Sequence, residues 1–447
     1  MEASKEILAL NAYDPVGAEA LGAELRHATD RRLRQFGSRS VLFYEQPIRM
    51  THAQGVWMMD EAGNRYLDVY NNVPSVGHCH PRVAAAIGAQ AARLTTHTRY
   101  LNDVVDGYAE RLLATFPAPI SQVVLTCTGS EANDLALRIA GTATGGTGFV
   151  VTQTAYHGNT AAVTAVSPSS MPGKPLAPHV RTVPAPDPYR TPTADLAGSF
   201  AAALEAAIAD LERSGIRFAG FLADTIFSSD GVFADPPGFL RAAVEVTRRH
   251  GGLFIADEVQ PGFGRTGSAL WGFERHGVIP DIVTMGKPMG NGFPMGGVAT
   301  RPDLLDRFTA EVKYFNTFGG NPVAAAAGLA VLDVIRDEGL VENAAATGGY
   351  LLEGLRALSN RHAAIGDVRG SGLFIGLELV RDRATRAPAA ATASAMINGL
   401  RRHGILIGAA GAYGNVLKIR PPLPFARENA DQVLAACDAV LGEIAPA

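Results

Sequence analysis

Cysteine is scarce in this chain: Cys79, Cys127 and Cys437 are the only three in 447 residues, in no metal-ligand spacing. That argues against a disulfide framework or a thiolate metal site and fits a reducing compartment. Long apolar runs are also missing, with no stretch of about 18 residues suited to a bilayer. The opening Met-Glu-Ala-Ser-Lys-Glu-Ile lacks a basic segment followed by an apolar one, so neither a secretory leader nor a membrane span is expected. The expected location is the cytoplasm. Basic charge is not in excess: 39 lysines and arginines face 43 acidic residues, a net charge of −4, which gives nucleic acid no footing. The rest, 47% hydrophobic and 18% charged, suits a globular enzyme of two domains or of one domain with a satellite.

The first 40 residues alternate apolar and charged positions at helical spacing, with Arg26, Arg31, Arg32 and Arg34 on a solvated face. Residues 55–60 and 64–68 read as a hairpin around Glu61-Ala62-Gly63. His78 and His80 could be metal ligands, but no further His/Cys cluster joins them. Loop packing ahead of a helix that starts at Pro81 is the expectation, with no metal. From residue 122 the texture becomes strand, turn, helix. Strands are expected at 123–127, 148–152, 218–224, 253–257, 282–284 and 297–300, and a helix opens at Thr128-Gly129-Ser130. Near-continuous apolar strands alternating with helices indicate a mostly parallel α/β sheet covered on both faces. The proline-rich run 167–192 reads as an ordered excursion. A helix over 323–336, the stretch 366–380, a further helix, two short strands at 405–407 and 416–420, and a last helix near 428–443 suggest a smaller C-terminal unit.

Chemistry is expected where strands end. Leu253-Phe-Ile-Ala-Asp257 carries a carboxylate out of a buried strand, and Ile282-Val-Thr-Met-Gly-Lys287 carries an amine into a turn of small residues. Burial lowers an amine's pKa and makes its neutral, nucleophilic form available. Such a lysine and carboxylate suit a cofactor that needs a Schiff base and a partner for a pyridinium nitrogen. Taken alone, they fit a surface-turn lysine and an N-capping aspartate equally well. Thr128-Gly129-Ser130 at a helix start suits a phosphate, although Ser130 capping its own helix is the commoner use of such a motif. Tyr156, in Tyr156-His157-Gly158, could stack on a flat ring or simply sit in the core.

In order along the chain, Gly129-Ser-Glu-Ala-Asn133, Tyr156-His-Gly158, Asp257-Glu-Val-Gln260, Met285-Gly-Lys287 and Asn316-Thr-Phe-Gly-Gly-Asn-Pro322 resemble the class III family of pyridoxal-phosphate enzymes, the ω-aminotransferases and their relatives. The resemblance runs from about residue 40 to about 440. It implies PLP fold type I: an α/β large domain (76–325), with a smaller α+β domain built from an N-terminal segment (1–75) and a C-terminal one (326–447). It also implies a homodimer with the active site at the subunit interface. Carried over by position, Lys287 forms the Schiff base and Asp257 pairs with the pyridine nitrogen. Tyr156 and Val259 flank the ring, and Gln260 lies near its hydroxyl. Gly129 and Ser130 hold the cofactor phosphate, joined by Thr317 of the neighbouring subunit. Val259 would be a core valine in any case. His157 reads as loop support, and Glu131 and Asn133 as helix-start residues.

The departures narrow this further. Many family members carry Ala-Glu-Pro before the Asp-Glu-Val-Gln strand, where this chain has Ala223-Asp224-Thr225. Many place an arginine three residues before the last Pro-Pro to grip a substrate carboxylate; here that position is Lys418, with Arg420 added. The glutamate that switches this arginine off in ornithine- and GABA-type members aligns with Ser229. Lysine is a poorer bidentate partner for carboxylate and adequate for phosphate. With 66–73, 76–81, 186–190 and 281–292, the wording resembles the phospholyase branch, which includes ethanolamine-phosphate and 5-phosphohydroxylysine phospho-lyases. That implies elimination of phosphate from a small phosphorylated amine, with ω-aminotransferase as the alternative. Candidates to hold the substrate phosphate are Lys418, Arg420, Arg190, Asn72 and Arg99, each arginine being equally open to a structural ion pair.

Overall fold

The computed structural model describes residues 11–15, 19, 21–38 and 40–444. The expected N-terminal helix is present over Ala23–Phe36, with Arg26, Arg31, Arg32 and Arg34 exposed. What the helical reading said of residues 1–10, 16–18, 20 and 39 lies outside the described residues.

The centre is a seven-stranded sheet made of β1 (Gln122–Thr126), β2 (Gly148–Thr152), β3 (Val180–Val183), β4 (Phe218–Asp224), β5 (Leu253–Asp257), β6 (Ile282–Met285) and β7 (Gly296–Thr300). Their spatial order is β1-β7-β6-β5-β4-β2-β3. Neighbours pair in parallel except for β7, which runs antiparallel to both β1 and β6. The inner strands are largely apolar because both faces are covered. Phe149, Val151 and Ile255 pack on one side with Leu135 and Ile139 of the helix Gly129–Thr144. Val150, Phe254 and Val283 point to the other side, towards Leu204, Leu211 and Val244. This is the two-residue period of a buried strand.

β3 was not expected as a strand. It is four residues long inside the proline-rich run and lies at the sheet edge, where Pro178 and Pro184 beside it remove no ladder hydrogen bond.

The hairpin Trp57–Asp60 and Arg65–Asp68 joins Met50–Gln54 on one side and, in parallel, Ile405–Leu406 on the other. One small sheet therefore ties N- and C-terminal segments together. A second, antiparallel sheet holds Ile365–Ser371, Phe374–Asp382, Val416–Ile419 and Gly408–Ala410, with Lys418 opposite both Gly376 and Gly408. The helices expected near 323 and 428 span Pro322–Asp337 and Arg427–Glu443. Pro81 stands at the first turn of Pro81–Arg93. His78 meets Asp68 at 2.7 Å and His80 meets Glu338 at 3.0 Å. Among the described residues no cluster of His, Cys, Asp or Glu could hold a metal, and no helix is long and apolar enough to cross a membrane.

Candidate active site

β1, β2, β4, β5 and β6 all deliver their carboxyl ends to one edge of the sheet, where ligands bind in open α/β folds. A cavity of about 200 Å³ opens there, lined by Thr128, Gly129, Ser130, Tyr156, His157, Gly158, Asp224, Asp257, Val259, Gln260 and Lys287. Four of the five sequence motifs thus meet in one place, joined by Asp224.

At one end stands the N-terminus of the helix Gly129–Thr144. Thr128, not Ser130, is its cap: Thr128 Oγ1 accepts the Glu131 N–H at 3.1 Å. Ser130 Oγ instead accepts the Asn159 N–H at 3.2 Å. The cap satisfies one first-turn donor and leaves Gly129 and Ser130 at the cavity edge. A Cβ at position 129 would lie 2.8 Å from Val259 Cγ2, so glycine lets this backbone come close to the cavity.

At the floor, Asp257 lies opposite Asp224 on β4 and Thr284 on β6. Its Oδ2 accepts from Asn133 Nδ2 at 3.0 Å and meets His157 Nδ1 at 2.7 Å; its Oδ1 accepts the Val259 N–H at 3.1 Å. Asn133 is fixed in turn by Thr284 Oγ1, which donates to its Oδ1 at 2.7 Å. Asn133 and His157 therefore do more than start a helix and support a loop: both hold the carboxylate. The signal for Asn133 was a polar side chain on the buried face of an apolar helix, where it is wholly inaccessible. Lys287, just past β6, has its amine pulled down to about 8 by burial and by the Arg420 charge, against the opposing pull of Asp257 and Asp224.

Beside this cavity lies a basic group. Arg420 Nη1 donates to Asn72 Oδ1 at 2.7 Å and to Gln260 Oε1 at 2.8 Å, and its guanidinium lies 4.5 Å from the Tyr70 ring centre. Lys418, 4% exposed, has its ammonium 5.5 Å from the Phe374 ring centre. Burial and then Arg420 push its pKa well below the usual lysine value, with Asp224 opposing. Arg420, Asn72 and Gln260 are thus brought together, with Lys418 close by.

Three candidates lie elsewhere. Arg190 is ion-paired with Glu378 and donates to the Arg386 carbonyl at 2.6 Å. Arg99 is exposed, 3.8 Å over the Phe315 ring. Thr317 is exposed and outside the cavity lining. Asp224, which the sequence marked only as a departure from a motif, lines the cavity; burial raises its pKa, its bond to Ser228 opposes this, and Asp257 adds to the rise.

The family model for class III aminotransferases matches residues 43–441. The chain is 42% identical over 416 residues to an alanine–glyoxylate aminotransferase 2-like protein of Drosophila melanogaster, covering 90% of this chain and 84% of that one. It is 40% identical to ethanolamine-phosphate phospho-lyase homolog 1 of Caenorhabditis elegans, over 92% of each. Among solved structures, a phospholyase from Arthrobacter in complex with phosphoethanolamine superposes with a TM-score of 0.90 at 44% identity, covering 93% of this chain and all of that one.

The cofactor of this family is pyridoxal phosphate, and the cavity fits it. An amine of lowered pKa, a carboxylate at Asp257 and a helix N-terminus that leaves Gly129 and Ser130 at the cavity edge match an aldehyde, a ring nitrogen and a phosphate respectively. The chain belongs to the class III aminotransferase family of pyridoxal-phosphate enzymes.

Proposed function

We propose that the protein is a phospho-lyase that eliminates phosphate from a small phosphorylated amine such as ethanolamine phosphate, yielding acetaldehyde, ammonia and phosphate. One observation carries this reading: Lys418 and Arg420 are buried beside the cavity, apart from the helix N-terminus, and among the described residues neither forms an ion pair with a carboxylate. A second anion belongs there. The printed descriptions of the Arthrobacter and C. elegans relatives support a phosphorylated amine as its bearer.

In this reading Gly129 and Ser130 would hold the cofactor phosphate, Tyr156 and Val259 would flank the ring, and Gln260 would face its hydroxyl. When bound, the cofactor supplies an electron sink next to the substrate nitrogen. Asp257, fixed by Asn133 and His157, keeps a proton at the ring nitrogen. Lys287 would hold the cofactor through Nζ and, with the substrate amine in that place, its neutral Nζ would remove the proton from the amine-bearing carbon. The C–O bond on the adjacent carbon then breaks and the phosphate oxygen keeps the electron pair. Lys418 and Arg420, with Asn72 orienting the guanidinium, offset the charge that grows on the leaving dianion. Lys287 would then give up its proton and take back its place, freeing the enamine, and water would convert it to aldehyde and ammonia.

We also propose a homodimer in which Thr317 completes the neighbouring site. Phe318 is 72% exposed, Tyr100 67% and Leu101 96%, and Phe315 lies beside them. An exposed apolar group of this size around Thr317 suits burial against a second copy. Arg99 borders the same surface, so its contribution is assigned to the partner's site. Arg190 keeps its ion pair and stays outside the pocket. Segments 1–75 and 326–447 are proposed as the small domain beside a large one at 76–325.

The Drosophila relative's name favours one alternative, an ω-aminotransferase. Incubating the cofactor-loaded protein with ethanolamine phosphate and no keto acid separates the two. Many turnovers releasing phosphate, acetaldehyde and ammonia in equal amounts establish the lyase. No phosphate release, with loss of the cofactor absorbance on adding simple amines and its return with pyruvate, establishes the aminotransferase.

A further inference from the structure

Four basic side chains gather around one place: Lys418, Arg420 and Arg265, which are buried, and Lys287, which is partly so. Among the described residues none of them forms an ion pair with a carboxylate, yet carboxylates are not scarce there. Asp224 accepts the N–H groups of Ile226 at 3.0 Å and Ser228 at 3.1 Å, together with the Ser228 hydroxyl. Asp230 accepts the hydroxyls of Thr152 at 2.9 Å and Thr154 at 2.5 Å. Asp257 is held by Asn133, His157 and the Val259 N–H. Asp68 accepts the N–H groups of Tyr70 and Asn71 and meets His78. Each buried carboxylate is satisfied without any of the four cations. A buried charge without a partner costs several kcal/mol, and a fold that keeps several of them together keeps them for a ligand.

Arg265 is the least expected member. It is 1% exposed and is not among the residues lining the cavity. Its Nη1 donates to the Pro421 carbonyl and, at 3.3 Å, to the Leu373 carbonyl, while its Nη2 has no partner. Burial, and after it the charge of Arg420, bring its pKa down to about 9. Pro421 directly follows Arg420, and Leu373 directly precedes Phe374, the ring on which Lys418 rests. One guanidinium thus grips the backbone next to both cation-bearing features. Its Nη2 is left without a partner, and Asp68, which opposes the fall in its pKa, forms no ion pair with it.

We propose that Arg265 is a positioning residue for the substrate phosphate: it clamps the strand end that carries Arg420 and the Phe374 support of Lys418, and its unpaired charge is balanced when a dianion sits at those two. This rests on the phospho-lyase reading and adds to it a residue behind the pocket.

The test uses the cofactor-loaded enzyme with inorganic phosphate as the probe, at fixed pH and ionic strength. Calorimetry gives its Kd, and the phosphate-dependent rise in Tm gives an independent measure. Arg265→Met is expected to weaken phosphate binding about tenfold or more, and Arg265→Lys, which keeps the charge, to stay within about threefold of the parent. A purely structural clasp would lower the Tm of both variants and leave the phosphate Kd of the folded protein alone. An unchanged Kd in Arg265→Met overturns the inference, as does an Arg265→Lys that binds as poorly as Arg265→Met. If Arg265→Met does not fold, Arg265→Gln against Arg265→Lys carries the same comparison. Phosphate release from ethanolamine phosphate by the parent enzyme is measured alongside. If binding behaves as expected but release is absent, the proposed activity fails and the role of Arg265 stands. If release is present and the variants keep the parent's Kd, this inference alone fails.

Discussion

At one end of the cavity, the N-terminus of the helix Gly129–Thr144 offers N–H groups and a hydroxyl, all neutral and fixed by the backbone. Beside the cavity, Lys418 and Arg420 offer basic side chains held by an aromatic ring, an asparagine and a glutamine. Both ends suit a phosphate, and they do so by opposite means. Backbone donors cost little to maintain, do not titrate, and suit a group that stays put. Buried cations are costly and pH-sensitive, and they act most strongly on an anion whose charge grows during the reaction. On the phospho-lyase reading proposed above, the difference assigns a resident phosphate to one end and a leaving one to the other.

The comparison can be broken or sharpened in four ways. Lys287→Ala should abolish turnover and the Schiff-base absorbance while leaving both anion ends in place; retained absorbance and activity would sink the assignment. Lys418→Ala should raise KM for a phosphorylated amine by about 30-fold or more, with little change in cofactor affinity; steady-state kinetics and a cofactor titration read the two separately. The third way is pH. The pKa of Lys418 is lowered by burial and then by Arg420, so its charge is present at low pH and lost, as pH rises, earlier than for an ordinary lysine. Phosphate binding to the cofactor-loaded protein should therefore weaken as pH rises through that lowered value, by up to about tenfold per unit; a Kd flat across the alkaline range would contradict a cationic site. The smallest effect is expected at the neutral end: Ser130→Ala, losing one hydroxyl among several donors, should raise the cofactor Kd about fivefold. Equilibrium dialysis of the cofactor checks this, and KM for the phosphorylated amine should not move.

What could be read from the sequence follows the same division. The resident end is local: Thr128-Gly129-Ser130 opens a helix, and Asp257 and Lys287 sit where apolar strands run out, so motif and geometry occupy the same few residues. The exception is the cap, because Thr128 and Ser130 are equally good capping residues and only the packing of Asn159 on Ser130 decides between them. The leaving end is assembled over long distances. Arg420 meets Asn72 across 348 positions, and at the floor His157 meets Asp257 across 100; neither pairing has a local pattern. Asn133 and His157 looked like local structure because their real partner is far away in the chain. Arg190 is held by Glu378, on a strand 188 residues later. β3 escaped notice because an edge strand of four residues needs little apolar character of its own.

The most direct measurement counts inorganic phosphate bound per protomer by calorimetry, first without cofactor and then with it. Two separate anion ends predict two phosphate ions on the cofactor-free protein and one on the loaded protein, the survivor lost in Lys418→Ala. A single phosphate without cofactor and none with it would mean that the basic end holds no anion, and the account would be wrong.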